Sequence, residues 1–325
     1  MAEREPAGVR LGWRVWSALG VVYVIWGSTY LAIRYTVRTL PPFLGGGLRF
    51  LAAGLVMLVV TLVLRGPGVF RVGRAELGTA ALVGTLMLAG GSGLLMLGEQ
   101  RVPSGLAALL VACVPLWIVV LRSGLGDRPH RVTVLGVLLG LSGVAVLLLP
   151  GGGSGAVRLG YSLLIVLASL SWSAGSLLSV RRPLPRDPLV LATIEMLAGG
   201  AVLLVGSGVR GEWSGFSVVQ VSGQSWAAVG YLVGFGSLLA FTAYVYLLGS
   251  APVSLVSTYA YVNPAIAVLL GALIAGERLG LTAVAGAVVI VLAVALVVTE
   301  ESRATRRAAE RQRNAEPALL DTGAG

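Results

Sequence analysis

Apolar stretches long enough to cross a lipid bilayer follow one another along almost the whole chain. That pattern settles the solvent before it settles anything else. Hydrophobic residues make up 56% of the 325 positions and charged residues only 12%, whereas a soluble domain carries about a quarter charged residues. Such a chain has too little charge to cover the surface of a large soluble protein. Ten spans are expected, at 14–34, 42–64, 77–97, 103–122 and 131–149, then 159–180, 188–207, 225–248, 252–274 and 280–298. As a helix rising 1.5 Å per residue, each covers roughly 30 Å of hydrocarbon. The fold class expected is an all-α membrane protein. The first stretch, from about Trp13 to Ile33, is too long for a cleavable leader and is taken as the first span.

The spans fall into two related halves. Trp26 matches Trp172, Pro42 matches Pro188, and the segment from Arg49 matches the one from Glu195, all at an offset of 146. Pro103 and Pro115 match Pro252 and Pro264 at 149, and Asp127-Arg128 matches Glu277-Arg278 at 150. Five is an odd number, so the second half enters the membrane from the opposite side. The repeats are inverted, an arrangement common in secondary transporters. The expected organisation is a first repeat at 14–149, a glycine-rich linker at 150–157, a second repeat at 158–299 and an Arg-rich tail at 300–325.

All 24 basic residues are arginine, and the net charge is +10. Seventeen arginines fall on the side of the N-terminus and six on the other. By the positive-inside rule both termini, and the tail, face the cytoplasm of a bacterial plasma membrane. The basic excess serves orientation. Nucleic-acid binding needs a basic face on a soluble domain, and none is present.

Catalysis finds little to work with. Cys113 and His130 are the only residues of their kinds, so an intrachain disulfide is impossible and zinc and iron–sulfur sites lack ligands. No phosphate-binding loop suggests ATP hydrolysis. The chain is not expected to be an enzyme or to hold a metal or other cofactor.

Polar residues inside the spans are the candidates for a site. Arg49 and Glu195 are the only ionisable residues well inside spans, and buried charge in a membrane calls for a partner or a wet cavity. Counted from the span ends, they lie on opposite sides of the midplane, so a direct ion pair is not assured. Arg49 would attract an anionic group, and Glu195 is the candidate for proton coupling. Pro115 and Pro264, at matching positions of spans 4 and 9, are candidate helix breaks. In span 9, Ser254, Ser257, Thr258, Tyr261 and Pro264 share a face, with Tyr259 and Asn263 opposite. Span 1 offers Tyr23, Trp26 and Tyr30 along one face. Span 6 offers Ser169, Trp172, Ser173 and Ser176. The charges between spans, Glu99 with Arg101 and Glu277 with Arg278, read as solvated or locally paired.

Several of these residues occur in longer runs. Trp26-Gly-Ser-Thr-Tyr-Leu-Ala-Ile-Arg34, Leu48-Arg-Phe50, the run from Gly98 through Glu99 and Pro103 to Leu109, Ser257-Thr-Tyr-Ala-Tyr-Val-Asn-Pro264 and Gly276-Glu-Arg278 stand in order across 14–299. Together they closely resemble EamA-type permeases of the drug/metabolite transporter superfamily. The resemblance implies ten helices in two inverted five-helix repeats, a central cavity, and alternating-access transport of small metabolites, often export. Two positions depart from the pattern: Ser92 stands where Asn is expected, and Glu195 where an uncharged polar residue such as Gln is expected. The expected function is a secondary transporter exporting small organic metabolites, its cavity lined by spans 1, 2, 4, 6, 7 and 9. Its expected partners are a small-molecule metabolite, the lipid bilayer and protons as coupling ion. A passive channel, a membrane scaffold or sensor working through its tail, and a lipid-modifying enzyme are the alternatives. A continuous polar filter would mark the first, loss of function on deleting the tail the second, and a cluster of catalytic groups the third.

Overall fold

A computed structural model describes residues 13–148, 155–251, 255, 258–277, 280–281, 284–301 and 303. Ser257 lies outside these residues, as do Ser254, Arg278 and most of the linker and tail, and the side chain of Tyr261 is likewise not described. Every regular element among the described residues is helical.

The first half comprises α1 (Trp13–Thr36), α2 (Pro42–Arg65), α3 (Arg74–Gly98), α4 (Ser104–Gly124) and α5 (Arg131–Leu148). The second comprises α6 (Gly155–Arg181), α7 (Pro188–Val209), α8, α9 (Tyr259–Ala275) and α10 (Val284–Glu301). Within α8 the stretches Gly223–Tyr231, Leu232–Leu239 and Ala240–Ser250 follow directly. Nine helices among the described residues have the length and composition to cross a membrane, and α9 adds the shorter apolar helix Val262–Ala275.

Lipid is as apolar as leucine, so these helices gain nothing from hiding leucine from it. Close backbone packing holds them instead, and that needs small residues. The α2–α7 crossing shows how. A Cβ on Gly54 would lie 2.9 Å from Leu197 Cδ2, and one on Gly200 would lie 2.9 Å from the Leu51 backbone N. Gly54 and Gly200 are repeat counterparts, as are Leu51 and Leu197. Each half presents the same glycine to the same leucine of the other, as a twofold axis through the crossing requires. The ends of the pair are tied as well. Glu212, after α7, accepts from the Leu44 N–H at 2.9 Å at the start of α2. Arg65, ending α2, approaches Asp187 at 3.5 Å, and Asp187 caps α7 through the Leu189 N–H at 2.8 Å.

The two halves also share an irregularity. Thr85–Gly93 in α3 and Leu232–Leu239 in α8 are π-helical. A π turn leaves a carbonyl without its usual donor, which is costly away from water. Each is served across the repeat boundary: Ser171 Oγ of α6 donates to the Leu86 carbonyl at 2.8 Å, and Trp26 Nε1 of α1 donates to the Gly236 carbonyl at 3.2 Å.

The prolines behave differently in the two halves. α4 is interrupted between Ser104–Val111 and Val114–Gly124, immediately before Pro115. Pro264 sits inside α9 with the helix continuous around it. The carbonyls near the α4 interruption find side chains: Cys113 Sγ donates to Leu110 O at 2.7 Å, and Ser173 Oγ donates to Val114 O at 3.2 Å.

Candidate functional site

A cavity of about 730 Å³ lies between the halves. From the first half α1, α2, α3 and α4 line it, and from the second α6, α9 and α10. The expected contribution of α7 is missing, because its face is spent on packing. A Cβ at Gly84 of α3 would lie 2.4 Å from the Glu195 carbonyl oxygen, and one at Gly199 would lie 2.7 Å from Leu88 Cβ. Helices α3 and α10, not expected as walls, take part through Gly91, Ser92 and Leu95, and through Val297, Val298 and Glu301.

Aromatic rings make one wall. Trp26 meets Tyr244 at 5.1 Å and Tyr259 edge-on at 5.2 Å between ring centroids. With its indole N–H on Gly236, the ring is fixed at both its edge and its face. Trp172 lies over Gly91, where a Cβ would be 2.9 Å from the ring. Trp26 and Trp172 are repeat counterparts, and each rests on the π segment of the opposite half. Tyr30 completes the aromatic lining from α1.

Polar groups are few and separate. Arg49 lines the cavity while only 7% exposed. Its Nε donates to Ser237 Oγ at 3.2 Å, and its guanidinium carbon lies 4.6 Å from the centre of the Phe50 ring. Among the described residues no carboxylate pairs with it. Asn263, 6% exposed, also lines the cavity, and its side-chain oxygen has no hydrogen-bond partner among the described residues. Val111, whose carbonyl loses its i+4 donor to Pro115, lies on the wall together with Pro115 and Pro264.

At one end the lining stops at Arg122 and Glu301, paired at 2.6 Å with 38% and 28% of their side chains exposed. Asp127 joins Arg122 at 2.9 Å and Arg181 at 3.3 Å. The Arg122 hydrogen bond holds the exposed Asp127 carboxyl below its ordinary range.

Of the residues singled out from sequence, Trp26, Tyr30, Arg49, Trp172, Asn263, Pro115 and Pro264 come together around this cavity. Glu195, Ser176 and Thr258 are not on its lining. Ser176 donates to the Trp172 carbonyl of its own helix at 2.9 Å. Thr258 is occupied by the Leu255 carbonyl and the Tyr23 hydroxyl. Glu195 is half-buried on α7, and among the described residues it forms no ion pair with Arg49. Tyr259, set with Asn263 opposite the hydroxyl face of span 9, also lines the cavity; sequence reasoning passed over Thr29, and it read Glu99 as solvated or locally paired, whereas Glu99 is fully buried. Thr29 gave no signal because it sits one position from the Tyr30 face. Among the described residues no group of three or more His, Cys, Asp and Glu is placed to hold a metal ion.

Comparison with known proteins agrees with this architecture. The chain is 40% identical over 284 residues to the "Uncharacterized inner membrane transporter YedA" of Escherichia coli (strain K12), covering 87% of this chain and 90% of the relative. It is 26% identical to the "Uncharacterized transporter YvbV" of Bacillus subtilis (strain 168), over 90% and 93% of the two chains. A solved crystal structure shares the fold with a TM-score of 0.59 at 23% identity, over 88% of this chain and 96% of that one. The EamA-like transporter family matches residues 14–149 and again 159–299. Both halves that enclose the cavity thus carry the family's pattern, and the chain belongs to the EamA-like transporter family.

Proposed function

We propose that this transporter carries small organic solutes with an apolar or aromatic body and one anionic group. The observation that carries the proposal is Arg49: a buried guanidinium on the wall of an aromatic cavity, with a serine as its hydrogen-bond partner and no paired carboxylate among the described residues. A carboxylate, sulfonate or phosphate on the solute supplies the counter-charge, and the four N–H donors of the two terminal nitrogens remain to bind it. Trp26, Tyr30 and Trp172 offer ring faces to the body of the solute, and Asn263 accepts a hydrogen bond from it.

The mechanism is alternating access in a bacterial plasma membrane. The cavity ends at Arg122 and Glu301, on the arginine-rich side that the positive-inside rule places in the cytoplasm. In this conformation solute enters from the cytoplasm, and export follows when the opposite end opens. The direction is supported by arginine placement and the mechanism by the inverted repeat.

The test is binding and flux with the purified chain in proteoliposomes, using aromatic and aliphatic carboxylates beside their uncharged amides. Carboxylates are expected to bind and exchange, with saturation and counterflow. Equal binding of acid and amide contradicts the substrate class. Unsaturable flux without counterflow favours a channel.

A further inference from the structure

At the end of the bundle away from Arg122, a carboxylate from one half closes on a helix start of the other. Gly276, with φ at +64°, ends α9 in the left-handed turn that glycine adopts without strain. Glu277 follows and turns back onto α4. Its Oε1 accepts from the Ser104 N–H at 2.8 Å and the Ser104 hydroxyl at 3.0 Å, and its Oε2 from the Gly105 N–H at 3.0 Å. Free amides and the helix dipole favour an anion there. The approach is close: a Cβ on Gly271 would lie 2.6 Å from Glu277 Oε2, and one on Gly105 3.2 Å from Val268 Cα.

Glu99 lies beside this cap at 0% exposure, and neither of its carboxyl oxygens has a hydrogen-bond partner among the described residues. Arg34 donates to the Glu99 backbone carbonyl instead of the carboxyl group. The groups that face Glu99 electrostatically are Arg34 and Tyr30 from α1 and Glu277 from the turn after α9. Arg101, on the same turn as Glu99, is exposed. A lone carboxylate buried without hydrogen bonds is among the costliest groups a protein can hold, and it takes up a proton instead. Glu277, held by three donors, stands close enough to disfavour a negative charge on Glu99 further.

We propose that Glu99 is a proton-binding site, occupied while Glu277 caps α4 and emptied when that end of the bundle opens to water. The step is a simple dissociation: the carboxyl O–H bond breaks, the electron pair stays on oxygen and the proton passes to water. Burial raises the Glu99 carboxyl well above the usual carboxylate range; Arg34 opposes this and Glu277 reinforces it. A group whose proton affinity is raised in the closed form stabilises that form at low pH, and the stabilisation is lost as pH rises through the raised value. Alkaline conditions therefore favour opening. Tyr30 connects the site to the cavity, since it lines the cavity and faces Glu99. The connection to solute movement rests on the transport reading; proton binding does not.

Infrared difference spectroscopy of the full chain in lipid, titrated from acid to alkaline pH, tests this without any solute. A Glu195→Gln background removes the half-buried carboxyl of α7. In it a protonated-carboxyl band is expected to persist above the ordinary carboxylate range, and Glu99→Gln, close in shape to the neutral acid, abolishes it. In Glu277→Gln the midpoint is expected to fall by about one pH unit or more, because the neighbouring charge is gone and water gains access. The assignment is overturned by absence of the band in the Glu195→Gln protein, or by its survival in Glu99→Gln. A midpoint unmoved in Glu277→Gln overturns the tie to closure. That arm keeps the proposal testable even if Glu99→Gln does not fold.

Discussion

Arg49 concentrates the chemistry of the cavity in one side chain. Its charge is buried, its hydrogen bond goes to Ser237, and the repeat gives it an acidic counterpart, Glu195, that is not on the cavity lining. Replacing it by Gln keeps length and polarity but removes charge. Hydrogen bonds to charged groups contribute about 1.5–3 kcal/mol each, so Arg49→Gln is expected to weaken binding of an anionic solute by roughly tenfold to a hundredfold. Binding of the uncharged amide should hardly change, which isothermal titration would show. Glu195→Gln, off the cavity lining, is expected to leave affinity within about twofold, since changes away from a site usually cost under ~0.5 kcal/mol. Sequence made Arg49 and Glu195 equally visible, because charge inside an apolar span stands out. It could not say which would face the cavity. Helical phase depends on which side of α7 packs, and glycines on other helices decide that. Glu99 was misread for a related reason: a turn between spans is exposed only if nothing folds over it, and Glu277 arrives from 178 positions away.

The inverted repeat makes paired experiments possible among the helices. Gly84 and Gly230 are counterparts, yet a Cβ on Gly84 would lie 2.4 Å from the Glu195 carbonyl oxygen, while one on Gly230 meets nothing within 4 Å. Backbone cannot swing aside as a long side chain can. Gly84→Ala is therefore expected to cost about 3 kcal/mol or more through forced separation of α3 and α7. Gly230→Ala is expected to be neutral or to stabilise by up to ~1 kcal/mol, because alanine is the better helix former. Thermal unfolding in detergent checks both, and equal effects would contradict the packing described. The spans themselves were legible from apolar runs and their repeat. The π turns of α3 and α8 were not. They depend on Ser171 and Trp26 reaching across from other helices to take up spare carbonyls. Proline was a weaker guide. The same residue at matching positions accompanies an interruption in α4 and a continuous helix in α9, so what surrounds a proline decides the outcome as much as its ring does.

At the scale of the whole molecule, the repeat is symmetric where the helices cross and asymmetric at its ends. Gly54 and Gly200 make the same contact twice. Glu277 and Asp127, counterparts in the repeat, do not. Glu277 caps α4 across the two halves, whereas Asp127 is exposed among Arg122 and Arg181. One end is latched while the cavity reaches toward the other, as one state of an alternating carrier demands. Removing the latch should then move both ends, in opposite senses. Spin-label pairs test this in a Cys113→Ser background, with Arg101 and Val219 at the latched end and Leu125 and Arg186 at the other, all four positions exposed. In Glu277→Gln, pulsed distance measurements in lipid are expected to show the Arg101–Val219 distance lengthening and the Leu125–Arg186 distance shortening. A latched end that opens while the other stays as it was, or opens too, would contradict alternating access.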